Sequence, residues 1–209
     1  MSLKRQDIMQ KQDTMQDSQD LQAIAEEIAR FGKKLVSSGL TSSRFGNISA
    51  LYGSKIVISC TGTMLDELET GQIVEVDLNG PCILDRIASS ETCVHRMVYR
   101  STAAKAIIHT HSPFAVSMSL LENAVVKPID SEGILFLGDM PIVEGHFGTE
   151  ELARNASAAL VSHKACIARG HGVFAAGKSL VEAYTAASMA EHSAQVKYLV
   201  DAYRNNESG

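Results

Sequence analysis

The chain has 209 residues, of which 45% are hydrophobic, 21% are charged and none is tryptophan. This length suits a single domain with a sizeable core, and the composition is typical of a globular enzyme rather than a disordered or membrane chain. The formal net charge of -5, without clusters of Lys and Arg, argues against a nucleic-acid partner. No apolar run approaches the roughly 20 residues that cross a membrane, so we expect neither nucleic acid nor membrane as a partner.

The four cysteines are widely spaced, contain no Cys-x-x-Cys pair and follow no apolar secretory segment. This pattern predicts free, buried thiols in a reducing compartment. We therefore expect the protein to be cytoplasmic. The residues concerned are Cys60, Cys82, Cys93 and Cys166.

Residues 1–16 are rich in Gln, Asp and Lys and show no clear period, which predicts a flexible N-terminal extension before a single domain at 17–209. Apolar residues then recur at helical spacing, so we expect an amphipathic helix that starts behind Asp17 and Ser18 and stops near Gly39. Three predicted strand segments follow, at residues 43–50, 55–59 and 73–77. The turn at 52–54 predicts a hairpin between the first two, so the first half is largely antiparallel β.

The second half alternates helices and strands. Ser89 or Ser90 can cap a helix that begins near Glu91, and Pro113 is tolerated in the first turn of a helix that ends near Leu121. The other predicted elements are a strand at 105–109, short apolar runs at 134–137 and 141–143, a helix from Thr149 to about residue 162, a strand at 166–168, a turn at 170–172 into residues 173–176, and a last helix from about 179 to 203.

An apolar run ends in His109 and His111, one residue apart. On a strand, side chains alternate with period two, so both imidazoles point to the same side and can hold one ion. Zinc is the first ion to consider. The alternative is that one histidine is packed and the other is solvated.

A third ligand is available in His171, which lies between two glycines just after a buried strand. Glycine on both sides lets the backbone turn and lets another group approach closely, although a solvated turn histidine is the alternative. Three imidazoles leave one coordination position open, as in catalytic zinc sites. Glu91 is the candidate acid, although the helix macrodipole alone also favours glutamate in a first turn.

Three loops can donate hydrogen bonds to an anion. Hydroxyls and amides at a helix start, as at Ser89 and Ser90, form a natural phosphate cradle. Asn47 after a glycine and the Thr61–Gly62 pair are further candidates.

Together these segments resemble the class II aldolase/adducin family, nearest in kind to the fuculose-1-phosphate aldolases, over roughly residues 18–200. The motifs that carry the resemblance are Gly46-Asn47-Ile48-Ser49, Thr61-Gly62-Thr63, Ser89-Ser90-Glu91, His109-Thr110-His111 and Gly170-His171-Gly172. The resemblance implies an α/β fold of three layers, α/β/α, around a central, mainly antiparallel sheet. It also implies a homotetramer with four-fold symmetry and active sites between neighbouring subunits.

The resemblance further implies one Zn²⁺ per subunit on His109, His111 and His171. Glu91 would be the acid/base and a fourth ligand when substrate is absent. The phosphate pocket of the family corresponds to Asn47, Thr61, Gly62, Ser89 and Ser90.

The implied activity is a zinc-dependent aldolase that reversibly cleaves a ketose 1-phosphate, such as L-fuculose 1-phosphate, to dihydroxyacetone phosphate and an aldehyde. Zinc would stabilise the intermediate enediolate as a Lewis acid. The alternatives are sugar-phosphate enzymes of the ribulose-5-phosphate 4-epimerase or methylthioribulose-1-phosphate dehydratase type. A non-enzymatic adducin-like scaffold ranks last, because all three histidines and Glu91 are present.

One departure concerns a tyrosine that the fuculose-phosphate aldolases supply from a neighbouring subunit to protonate the developing alkoxide. The chain has no tyrosine between Arg100 and Tyr184. The candidates to replace it are Asp130, Ser131, Glu132 and His146, with Tyr198 or Tyr203 if the last helix reaches a site. His95 is either a residue behind Glu91 or a plain helix-face histidine, and His163 and His192 are expected to be surface or packing residues.

Overall fold

A computed structural model describes residues 3–207, with side chains from Met15 to Arg204. The helices are α1 (Leu3–Ser37), α2 (Thr92–Ser101), α3 (Pro113–Leu121), α4 (Glu150–Leu160) and α5 (Leu180–Glu207). The strands are β1 (Asn47–Tyr52), β2 (Lys55–Ser59), β3 (Ile73–Asp77), β4 (Ala106–Thr110), β5 (Val125–Val126), β6 (Met140–Val143), β7 (Ala165–Ala168) and β8 (Gly172–Gly177). Within residues 3–207, no helix is long and apolar enough to cross a membrane.

The strands form one sheet of eight, in the order β3-β2-β1-β4-β8-β7-β6-β5. Neighbouring strands pair antiparallel except β6 and β7, which run parallel. The predicted hairpin is the β1–β2 pair, in which Tyr52 is opposite Lys55. The mainly antiparallel sheet expected from the sequence is confirmed.

Helices cover both faces of the sheet, which gives the expected α/β/α layers. One core lies between the sheet and α1, α3 and α5, and a second core lies between the opposite face and α2 and α4. Strand β4 is buried along its whole length because it lies near the middle of this sandwich. Ala106 and Ile108 belong to the first core and Ile107 to the second, so the next residue on the Ile107 side, His109, faces α2.

Three predictions about local structure need correction. Helix α1 begins at Leu3 rather than behind Asp17, because the preceding residues contain no Pro or Gly and include good helix formers. The N-cap of α2 is Glu91, not Ser89 or Ser90. All four cysteines are free as expected, but only Cys166 is buried.

The predicted flexible extension at residues 1–16 stays a prediction. Its first two residues lie outside the described part of the chain, and so do the side chains before Met15.

Candidate active site

His109 is the buried centre of the site. Its side chain is fully inaccessible to solvent, and its ring stacks on Phe174 of β8 at 4.1 Å between ring centroids. Nδ1 lies 2.9 Å from the carbonyl oxygen of Val173. Because a carbonyl can only accept, Nδ1 carries the proton and donates it, so Nε2 of the neutral ring keeps its lone pair.

The other two histidines bring their rings to the same point. Nε2 of His111 lies 3.1 Å from Nε2 of His109, as the alternation along β4 predicts. His171 comes from the turn between β7 and β8, and one ligand atom from each of the three side chains falls within 4.8 Å of the others. The sequence therefore predicted correctly which imidazoles meet.

Two glycines permit this close approach. Gly46 has φ +90°, and a Cβ there would lie 2.5 Å from the carbonyl oxygen of His109. A Cβ on Gly172 would lie 2.8 Å from Cε1 of the His109 ring. A larger residue at either position would displace β4. The glycines therefore allow the strand that carries His109 to lie close to these two backbone positions.

Glu91 completes the cluster from the start of α2 and is only 3% exposed. Its Oε2 lies 3.1 Å from Nε2 of His109 and accepts a hydrogen bond of 3.0 Å from Nδ2 of Asn47. Its Oε1 lies 3.8 Å from Nε2 of His171. Burial raises the pKa of Glu91, and the Asn47 hydrogen bond and His171 oppose this rise.

This arrangement fits a cation. Nε2 of His109 and Oε2 of Glu91 are both acceptors, yet they are 3.1 Å apart. Burial lowers the pKa of His109 to about 3, so protonation of this imidazole does not resolve the contact at neutral pH. At Zn–N distances of about 2.0–2.1 Å, two tetrahedral ligands are roughly 3.4 Å apart, close to the 3.1 Å between Nε2 of His109 and Nε2 of His111.

A cavity of about 320 Å³ opens in front of this cluster, a size suited to a small ligand. All five predicted phosphate contacts line it together with Glu91, and so do two of the three histidines. His109 lies behind them, out of contact with the cavity. The lining residues are Arg44, Phe45, Gly46, Asn47, Cys60, Thr61, Gly62, Thr63, Ser89, Ser90, Glu91, His111, Phe147 and His171.

The predicted phosphate contacts differ in their availability. Thr61, Gly62 and Ser90 are exposed to the cavity, whereas Ser89 is buried and its Oγ accepts a hydrogen bond from the backbone N–H of Glu91. Asn47 is 6% exposed, and both ends of its amide contact other side chains. Phosphate binding at these positions stays a prediction.

His95 lies behind Glu91 rather than on an exposed helix face. It is fully buried, and its Nε2 lies 2.5 Å from Oδ1 of Asn47. Of the two interpretations that the sequence left open, a residue behind Glu91 is therefore confirmed and a plain helix-face histidine is wrong. His192 is exposed and His163 is half-buried, as expected.

Two aromatic residues at the cavity were missed by sequence reasoning. Phe45 is 55% exposed and stacks on the His111 ring at 5.2 Å, and Phe147 is 68% exposed. The signal in the sequence was their position next to Gly46 and Gly148 in loops. None of the candidates to replace the expected tyrosine lines the cavity; these are Asp130, Ser131, Glu132, His146, Tyr198 and Tyr203.

Comparison with known proteins gives a consistent result. The family model described as the class II aldolase and adducin N-terminal domain matches residues 26–198. A 5-deoxy-D-ribulose 1-phosphate aldolase from Bacillus thuringiensis is 34% identical over 184 residues, which is 85% of each chain. An L-fuculose phosphate aldolase from Methanocaldococcus jannaschii is 32% identical over 80% of this chain and 88% of that protein.

Among solved structures, an L-fuculose-1-phosphate aldolase from Thermus thermophilus superposes with a TM-score of 0.82. It is 33% identical, and the match covers 87% of this chain and 96% of that one. The family-model match at residues 26–198 spans the histidines, Glu91 and the loops of the cavity.

Proposed function

Because the chain belongs to the class II aldolase and adducin family, we propose that it is a zinc-dependent aldolase that cleaves a ketose 1-phosphate reversibly. The products are dihydroxyacetone phosphate and an aldehyde. The observation that carries this proposal is the convergence of three imidazoles and one buried carboxylate on a cavity whose other wall consists of hydroxyl-bearing and glycine loops.

His109, His111 and His171 would hold the metal. The donation from Nδ1 of His109 to the Val173 carbonyl orients that ring and leaves Nε2 free for the ion. When bound, zinc supplies Lewis-acid stabilisation for negative charge on substrate oxygens. With one ion per subunit, the three-histidine set leaves a coordination position for substrate.

Glu91 is the proposed acid/base. In the cleavage direction it gives a proton to the carbon that loses its bond to the aldehyde half, and in the condensation direction it removes that proton. Burial raises the pKa of its carboxyl toward neutrality, which suits a group that must both give and take a proton near pH 7.

Phosphate binding would orient the substrate at the opposite wall. Thr61, Gly62 and Ser90 offer hydroxyl and backbone N–H donors that face the cavity, and Ser89 supports the start of α2. Asn47 completes the predicted set, although its amide must release Glu91 or His95 to reach a phosphate.

The aldehyde half would lie near Phe45 and Phe147. Both rings are largely exposed at the cavity, and an aromatic wall suits a substrate end without a hydroxyl group. L-Fuculose 1-phosphate and 5-deoxyribulose 1-phosphate both end in a methyl group. The substrates named for two relatives therefore share the feature that this wall would recognise.

The proton at the aldehyde oxygen would come from a neighbouring subunit of a homotetramer. The predicted sources remain Asp130, Ser131, Glu132 and His146, with Tyr198 or Tyr203 if the last helix reaches a site. None of them lines the cavity of its own protomer. The next segment exposes Ile134, Leu135 and Phe136 by 62%, 73% and 56%, a contiguous apolar surface of the kind that subunit contacts cover. A cytoplasmic location belongs to the same proposal.

A substrate panel tests the activity. Purified enzyme with zinc would be incubated with L-fuculose 1-phosphate, 5-deoxyribulose 1-phosphate, ribulose 1-phosphate, methylthioribulose 1-phosphate and ribulose 5-phosphate. We expect dihydroxyacetone phosphate from one of the ketose 1-phosphates. Xylulose 5-phosphate from ribulose 5-phosphate would identify an epimerase instead, and loss of water from methylthioribulose 1-phosphate would identify a dehydratase.

Metal content is the second measurement. The aldolase proposal requires about one zinc per chain, bound by the three histidines. A well-folded, metal-free protein that cannot be loaded with zinc would contradict the proposal and favour the scaffold alternative.

A further inference from the structure

A row of buried polar side chains runs inward from Glu91, away from the cavity. Helix α2 contributes His95 and Tyr99, and its N-cap is Glu91, so the three residues are spaced four apart along one side of the helix. Strand β1 contributes Asn47 and Ser49, which lie two residues apart on the face that α2 covers. All five side chains are at most 6% exposed, so water does not satisfy their hydrogen bonds.

The five side chains form one continuous chain of hydrogen bonds. Asn47 Nδ2 lies 3.0 Å from Glu91 Oε2, and Asn47 Oδ1 lies 2.5 Å from His95 Nε2. On the other side of the ring, His95 Nδ1 lies 2.6 Å from Ser49 Oγ. Ser49 Oγ then lies 2.7 Å from the Tyr99 hydroxyl.

The carboxylate determines the direction of every bond in this chain. Glu91 Oε2 can only accept, so the Asn47 amide must turn its nitrogen toward Glu91 and its oxygen toward His95. That oxygen can only accept, so His95 carries its proton on Nε2. If the ring is neutral, Nδ1 accepts from Ser49, whose oxygen accepts in turn from Tyr99. All four donations therefore run toward Glu91.

The neutral state of His95 agrees with its surroundings. Burial lowers the pKa of His95 to about 3, and His109 acts in the same direction. An imidazolium would place a second donor against Ser49 and reverse the order of the remaining bonds. The chain of hydrogen bonds therefore requires a neutral His95 ring with its proton on Nε2.

The two oxygens of Glu91 are consequently unequal. Oε2 is held by Asn47, whereas Oε1 is buried and has no hydrogen-bond partner among the described residues. Oε1 is also the oxygen nearer to His171, which lines the cavity. A proton on Oε1 would leave the whole chain of hydrogen bonds undisturbed.

We propose that His95 is a positioning residue for Glu91: its Nε2–H holds the Asn47 amide in the orientation that fixes Oε2, and thereby reserves Oε1 as the oxygen that exchanges the proton with substrate. This inference rests on the proposed acid/base function of Glu91. It also assigns the Asn47 side chain a task at Glu91 in addition to, or in place of, its predicted contact with phosphate.

The test compares two substitutions of His95 in the zinc-loaded enzyme. His95→Phe keeps a ring of similar size but loses the donor to Asn47, whereas His95→Gln keeps an N–H that can reach the amide oxygen. We expect His95→Phe to lower kcat roughly ten- to hundredfold with little change in KM or zinc content, and His95→Gln to restore most of the loss. His163→Phe, outside the cavity, is the matched control.

Three results would overturn the proposal. His95→Phe with wild-type kcat would show that Glu91 needs no such support. Equal losses in the Phe and Gln variants, together with lost zinc or a lowered unfolding temperature, would assign His95 a merely structural role. A change confined to KM would point to substrate binding instead.

A spectroscopic measurement keeps the proposal testable even if His95→Phe does not fold. In zinc-loaded wild-type enzyme labelled with ¹⁵N-histidine, we expect His95 to be neutral with its proton on Nε2 from pH 6 to 9. A proton on Nδ1, or an imidazolium, would overturn the proposal. Because this readout needs no substrate, it separates failure of the inference from failure of the proposed activity.

Discussion

Replacement of Glu91 by Gln gives the sharpest test of the proposed chemistry. The two side chains have nearly the same size, and the amide oxygen of Gln can take the place of Oε2 and accept the 3.0 Å bond from Asn47. The amide nitrogen then occupies the position of Oε1, which has no partner in the described structure. The packing and the three histidines are preserved, but the group can no longer exchange a proton.

The expected loss of activity follows from the absence of proton exchange at this one side chain. General acid–base catalysis contributes about 10²- to 10⁴-fold in rate, which corresponds to about 2.7–5.4 kcal/mol of transition-state stabilisation. Zinc binding should persist, since the imidazoles are unchanged. The metal-free variant should also resist urea better than metal-free wild type at pH 7, because burial raises the pKa of Glu91 and the charged carboxylate therefore destabilises the fold.

The assay follows exchange of the substrate C–H proton rather than complete turnover. Dihydroxyacetone phosphate is incubated with enzyme in D₂O, and loss of the exchangeable methylene proton is followed by NMR, so the identity of the aldehyde does not matter. Glu151→Gln, an exposed glutamate on α4, is the matched control and should exchange at the wild-type rate. Wild-type exchange by zinc-loaded Glu91→Gln would refute the acid/base role.

Four further predictions concern the metal, the stability of the fold and the cavity wall. His109→Ala should lose bound zinc and activity together, whereas exposed His192→Ala should keep both; full zinc in the first variant by elemental analysis would contradict the proposed ligand set. Buried Glu191 accepts from two backbone amides at the start of α3, so Glu191→Ala should lower the free energy of unfolding in urea by about 2–4 kcal/mol, and an unchanged midpoint would contradict this. Burial raises the pKa of Glu191 above 4.5, so the folded state holds this proton more tightly than the unfolded state. The free energy of unfolding should therefore fall as pH rises from 4.5 through that raised pKa, and Glu191→Gln should flatten this part of the pH profile. Phe147→Ala should raise KM for a methyl-terminated ketose 1-phosphate more than for ribulose 1-phosphate, and equal changes would remove Phe147 from substrate selection.

Local patterns in the sequence were sufficient for most of the secondary structure. Pro113 and Thr149 mark the starts of α3 and α4 as predicted, since each supplies a recognised start signal for a helix. The predicted start of α1 was wrong because a polar segment without a clear apolar face can still form the first turns of a helix whose later turns are packed. The predicted N-cap of α2 was wrong because Oγ of Ser89 accepts a hydrogen bond from the N–H of Glu91 within the preceding turn.

The cluster of three histidines could be predicted because its geometry is mostly local. Two histidines on one strand share a face whatever the strand pairs with, and a histidine between glycines after a buried strand lies at a turn. The chemistry of three imidazoles already grouped His171 with the pair, and the resemblance in the motifs implied the same set. The structure confirms this convergence, with ligand atoms within 4.8 Å of one another.

The sequence by itself therefore determined which residue types could hold a metal, carry a proton and bind a phosphate, because these depend on side-chain chemistry and short spacings. Only the tertiary structure decided that Asn47 turns toward Glu91, that His95 supports it from behind, and that one carboxylate oxygen stays without a partner. The physical reason is that these contacts join α2 to β1 across more than 40 residues of chain. The donor and acceptor in each of these hydrogen bonds are fixed by the polar groups that are left to pair once the sheet and the helix exclude water. No local sequence pattern encodes that set of partners.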